Sequence, residues 1–253
     1  SCPFLEDTPV NNFCTMNPLD NDHDALMTNS KGNNYVVWDT NDYDRQRASM
    51  AMTSGKWYFE FRQESTNTSN TVVWGVKTTN AQLTDDSGIG SGSAMADEWI
   101  LTDAGYIANN GSGTDVSSSI TDVTTVGDIV QVAVDMDNKK IWFGINGTFD
   151  GNPAAGSGNR YSNLPSSVSP MVGIGGGATV RGAHANFGSS TFTISSPNAD
   201  GNGYGTFAHP VPSGFLALCS ANLPEIEIGQ GGAGTLATDF FNTRLYTGTG
   251  SSL

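Results

Sequence analysis

The chain has 253 residues, 31 of them glycine, with 14% charged and 37% hydrophobic, a turn-rich composition that suits half-buried strands and argues against a helical protein. Twenty-five acidic residues against 11 basic ones give a formal charge of −14, which repels phosphate backbones and argues against nucleic-acid binding. No apolar run approaches the ~20 residues of a membrane-spanning helix, so no membrane insertion is expected. A chain of this length can bury about 70–75% of its unfolded surface and needs no staples for its core.

Residues 1–30, poor in apolar positions and rich in Pro and Asn, predict an extended N-terminal arm. A first strand is expected at 34–38, then a polar loop or edge at 43–48. A strand follows at 56–62, where Trp57, Phe59 and Phe61 alternate with Tyr58, Glu60 and Arg62. A loop at 63–70 precedes a strand at 72–76. Residues 78–97, small and polar with Gly88, Gly90 and Gly92, predict a long surface loop. Strands at 99–101 and 105–108 are expected to pair, with a turn after them at 109–112. The clearest signal is the hairpin of 129–135 and 140–145. Val130, Val132 and Val134 share one face, Ile141, Phe143 and Ile145 the matching face, and Asp137-Asn138 lies in the turn. Residues 149–163 predict a polar Gly-rich insertion, strands near Val172 and Ala185 close the sheet, and 195–212 predict an inserted loop. Thus 31–222 are expected to form one antiparallel β-sandwich. Residues 223–253 are expected to be a linker, flexible at 229–234, and the start of a further β module, with the chain continuing past Leu253.

Chemistry has little support. Three histidines, His23, His184 and His209, and no Gly-x-Ser-x-Gly elbow leave no triad pattern, so no enzyme and no cofactor are expected. His184 falls on an expected strand and reads as a hydrogen-bonded structural residue. Asp20, Asp22 and Asp24 alternate as at the start of a calcium loop, but the sixth position is Ala25 and the twelfth Lys31, so a solvated acidic turn is the better reading. Gly173 to Gly177 reads as a tight turn or bulge, with no Lys-Ser/Thr behind it. Of three cysteines, Cys2, Cys14 and Cys219, the first two can be drawn as an arm disulfide, while buried thiols are the favoured reading.

The central block, Gly127-Asp128, apolar strand, Asp135-Met136-Asp137 turn, aromatic strand and Asn146-Gly147, resembles the SPRY (B30.2-like) domain. So do 54–61, Val73-Trp74-Gly75-Val76, 170–174 and Ala185-Asn186-Phe187-Gly188 with Phe192. The resemblance implies an all-β, bent two-sheet sandwich that recognises protein segments by its loops and does no chemistry. The flanks 7–19 and 212–224 resemble SPRY-containing structural proteins of marine bacteriophages. That resemblance implies a virion protein on the particle surface, part of a tail fibre or appendage. Its expected partners are other virion proteins and a host surface receptor, protein or glycan, with a homotrimer favoured. A capsid decoration protein and a lectin-like module are the alternatives. Loop-based recognition then makes Tyr43, Arg45, Trp99, Tyr106, Arg160 and Tyr161 the candidate ligand-binding residues.

Overall fold

The structure is a computed structural model that describes residues 7–21, 27–38, 44–64, 72–81, 83, 97–109, 122–123, 125–174 and 180–224. Residues 1–222 form one compact unit and 223–253 a second, of which only Leu223 and Pro224 are described. The expected flexible linker and further module therefore lie outside the described residues, as do most residues of the loops expected at 63–70 and 78–97, of which Gln63 and Thr78 are strand residues instead.

The unit is all-β. Its strands are β1 (Met16–Asn21), β2 (Met27–Ser30), β3 (Tyr35–Trp38), β4 (Arg45–Ala48), β5 (Lys56–Gln63), β6 (Val72–Thr78) and β7 (Glu98–Thr102). They continue with β8 (Ile107–Asn109), β9 (Ile129–Asp135), β10 (Lys140–Ile145), β11 (Thr148–Phe149), β12 (Val168–Ile174), β13 (Arg181–Asn186) and β14 (Leu216–Ala217). One sheet runs β1-β4-β12-β6-β7-β8 and the other β11-β10-β9-β5-β13-β3-β2. Every pairing is antiparallel except that of β14, which runs parallel to the start of β5, in line with β13, which pairs with its end. Among the described residues no helix is long and apolar enough to cross a membrane.

The alternation read from the sequence is the alternation found. Trp57, Phe59 and Phe61 of β5, Val130, Val132 and Val134 of β9, and Ile141 and Phe143 of β10 point into the inter-sheet core, where Val72, Trp74, Val76, Trp99, Leu101, Val168 and Val172 meet them. The β9–β10 register joins Val134 to Ile141 and Val132 to Phe143. In the connecting turn Asp135 accepts Asn138 N and Nδ2, both at 2.9 Å, and Asp137 Oδ1 accepts Gly55 N at 2.8 Å.

Four expectations are corrected. The segment read as an N-terminal arm contributes β1 to one sheet and β2 to the other. Residues 45–48, read as a loop or edge, are an interior strand, because their arginines are neutralised where they are buried. Arg47 makes a bidentate pair with Asp20 at 2.8 and 2.9 Å. The strands holding Val172 and Ala185 belong to different sheets. Finally, the insertion at 149–163 is a wall. It pairs with β10 through Ile141 and Tyr161, and Asn163 Oδ1 accepts Trp99 Nε1 from the opposite sheet at 2.9 Å. On the other flank Asn29 of β2 and Gln46 of β4 exchange two amide hydrogen bonds of 3.0 Å across the sheets.

Candidate functional site

The residues predicted to bind a ligand separate. Arg45 is fully buried, with Nε 3.1 Å from Glu98 Oε1, and Lys77 Nζ reaches the same oxygen at 3.2 Å. Gly173 makes room for it, since a Cβ there would stand 2.4 Å from Arg45 Cδ. Arg45 is thus a structural cation and not a surface contact. Trp99 is buried with its indole N–H on Asn163, Tyr161 packs on the core with its hydroxyl donating to Ile107 O at 3.4 Å, and Arg160 Nε lies 2.7 Å from Asp150 Oδ2. Trp99 and Tyr161 therefore brace the wall between the sheets, and Arg160 is paired within it. Tyr106 is half-buried in the β7–β8 turn, its N–H on Thr102 Oγ1. Tyr43 lies outside the described residues.

What sequence reasoning missed is a third layer. The outward side chains of β5 and its neighbours stand in three lateral rows. The first is Ala217–Tyr58–Ala133–Trp142, apolar and covered by Phe13, Phe207 and Phe215. Phe207 meets Tyr58 edge-on at 5.0 Å, and Phe215 meets Trp142 likewise at 6.0 Å. The second row is Asn186–Glu60–Gln131–Gly144. Here the buried Glu60 carboxylate accepts Tyr58 Oη at 2.8 Å, Asn186 Nδ2 at 3.1 Å, Ala208 N at 2.8 Å and His209 N at 2.9 Å. Asp200 holds the rest of the covering segment, accepting the backbone N–H of Asn202, Tyr204 and Ala217, each at 2.9 Å. The segment read as an inserted loop at 195–212 is thus part of a cover over the larger sheet.

The third row, Ser30–Tyr35–His184–Arg62–Ile129, emerges from beneath this cover. His184 is buried, stacked on Tyr35 at 4.3 Å, its Nδ1 2.7 Å from Thr191 Oγ1. Burial, reinforced by the Lys31 and Arg62 charges, lowers its pKa to about 3, so the ring is neutral at physiological pH. Lys31 Nζ lies 5.0 Å from the Tyr35 ring centroid and Arg62 Cζ 5.4 Å from that of Phe192. Arg62 also pairs with Glu64 through Nη1. Beside Arg62 opens a pocket of about 310 Å³ lined by Gly127, Ile129, Phe192, Ile194, Ser195 and Ser196, with Thr193 and Ala208. This row is the candidate recognition site. Its only signal in the sequence is that Arg62 and His184 sit at outward positions of their strands.

No metal centre is built from the described residues: no group of three His, Cys, Asp or Glu is placed to hold an ion. Asp20 is occupied by Arg47, while Asp22 and Asp24 lie outside the described residues. Cys14 is a free, fully buried thiol, its Sγ 3.7 Å from both Thr15 O and Ser49 Oγ, and Cys219 is likewise free and buried. Cys14, a free thiol in the core cluster, fits the favoured reading of buried thiols, and Cys2 lies outside the described residues.

The SPRY domain family model matches residues 56–188, more than half the chain, and the chain belongs to that family. Among solved structures it is similar to the SPRY domain of human HERC1, with 18% identity, a TM-score of 0.52, and coverage of 67% of this chain and 96% of that one. It is also similar to stonustoxin, with 16% identity, a TM-score of 0.48 and coverage of 69% and 27%, and to the PSpry domain of TRIM65, with 14% identity, a TM-score of 0.45 and coverage of 69% and 92%. No curated protein matches the sequence. Membership defines the class: an all-β, non-catalytic scaffold for protein–protein interaction.

Proposed function

We propose that the chain is a non-enzymatic structural or adhesion protein of a bacteriophage virion, part of a tail fibre or appendage, displaying its SPRY sandwich as a binding module on the particle surface. The family carries the binding role, and the observation that carries its location on the molecule is the half-covered row of Tyr35, His184 and Arg62 with Phe192 packed against it. The phage reading is supported by the flanks. The two segments that resemble phage structural proteins meet in space: Phe13 bridges Cys219, Cys14 N donates to Leu218 O at 2.9 Å, and Ser220 N to Asn12 O at 2.9 Å. A homotrimer, with other virion proteins and a host receptor as partners, completes the proposal.

The test has two parts. Light scattering on the purified chain reads the oligomeric state, with a trimer expected. Selection of a displayed random-peptide library on the immobilised chain is expected to enrich sequences whose binding falls at least about tenfold when Tyr35 and Phe192 become Ala, as loss of central aromatic contacts does. Enrichment indifferent to both changes would remove this site. Labelling by antibody on intact particles decides between fibre and capsid decoration.

A further inference from the structure

We propose that the pocket beside Arg62 receives the carboxylate of an acidic residue from a partner polypeptide; this deepens the recognition role above and rests on it. The local charge is more balanced than that of the chain as a whole. Two of its 11 basic residues, Lys31 and Arg62, stand here with the carboxylates of Glu64 and Asp128, within a formal charge of −14. The imidazole between them is neutral, and both oxygens of nearby Asp128 are committed, one to Asn146 Nδ2 and the other to Thr125 N, each at 2.9 Å.

The guanidinium is held in place before any ligand arrives. Nη1 is taken by Glu64 and the guanidinium rests near the Phe192 ring, while Gly127 brings no side chain to the other edge, where an added Cβ would stand 3.4 Å from Nη2. Nε and Nη2 remain, the edge with which arginine grips a carboxylate through two parallel hydrogen bonds. Exposed Thr193, Ser195 and Ser196 supply hydroxyls around the pocket, while Ile129, Ile194, Ala208 and Phe192 offer apolar contact for the methylenes of the incoming side chain. A single arginine already neighboured by Glu64 suits a monoanion better than a doubly charged phosphate, whose second charge would meet Glu64 unpaired. The volume, about 310 Å³, suits one acidic side chain and its immediate backbone.

Nuclear magnetic resonance on the full ¹⁵N-labelled chain tests this. Acetyl-glutamate amide is titrated while the Arg62 Nε–H and the Gly127, Ser195 and Ser196 amide signals are followed, with acetyl-glutamine amide, glucuronate and inorganic sulfate as separate arms. Saturable shifts with the glutamate probe alone, lost in Arg62→Gln while signals of the β9–β10 turn stay in place, are expected. Changing Ser195 and Ser196 to Ala should weaken the response by about three- to tenfold, the loss of one or two hydrogen bonds. Equal shifts with the glutamine probe, or no shift at all, overturn the assignment. Stronger shifts with glucuronate or sulfate overturn it in favour of an acidic glycan or a general anion site. Peptides from the display experiment separate the two claims: if they bind Arg62→Gln as well as the parent chain, the carboxylate pocket fails and the recognition role stands.

Discussion

Glu60 carries an unusual load for one side chain. It is fully buried, and four donors from three segments converge on it, so it pins residues 206–209 to the larger sheet. Burial raises its pKa, and hydrogen bonds from Ala208 N, Tyr58, His209 N and Asn186 only partly offset that. A raised folded value means that this group's stabilisation is present below its unfolded pKa, about 4.3, and is lost as pH rises through the folded one. Glu60→Gln turns an acceptor into a donor facing other donors. We expect it to lower stability by about 2–3 kcal/mol at neutral pH, and urea titrations should show the gap to wild type widening on acidification. His184 works with the opposite sign. Its folded pKa, about 3, lies below the unfolded ~6.5, so its contribution is present above that value and is lost as pH falls toward 3. His184→Gln should therefore flatten the fall in melting temperature between about pH 6.5 and 4, read by circular dichroism. Of these two, only the structural role of His184 was legible from its strand position. Nothing local to Glu60 announces that its donors come from residues about 150 positions later in the chain.

At the level of elements, the covering layer makes both faces of the larger sheet a core. Every residue of β9 is buried, whereas alternation in the sequence assigns one of its faces to solvent. Phe207→Ala and Phe215→Ala should each cost about 3–5 kcal/mol, shown by a lower urea midpoint at constant slope. The wall predicts a smaller effect. Asn163→Ala removes the acceptor of the Trp99 indole N–H, and a loss of about 1 kcal/mol is expected from the same measurement. Alternation identified β5, β6, β9 and β10 because each reports its inward face. It could not identify the cover or the wall, whose residues have no period and gain their order only from the sheets they lie against. The candidate site suffers for the same reason. Trp99, at the start of an expected strand, and Tyr161, in an expected insertion, look near the recognition loops in one dimension and are struts in three.

For the whole molecule, charge is the dominant long-range term. A formal charge of −14 on 253 residues opposes compaction through self-repulsion, so the melting temperature should rise as sodium chloride is increased from about 10 to 150 mM, over which the screening length falls from about 30 to 8 Å. An unchanged or falling value would contradict that account. The sequence by itself determined the all-β class, the central hairpin and the inward faces of β5, β9 and β10, because these depend on side-chain alternation and on turn residues adjacent in the chain. Only the tertiary structure decided which outward positions stay accessible, since that depends on the segments that pack over them. By covering the Tyr58 and Glu60 rows and leaving the edge of the Arg62 row open, the fold turned a surface arginine into the rim of a pocket.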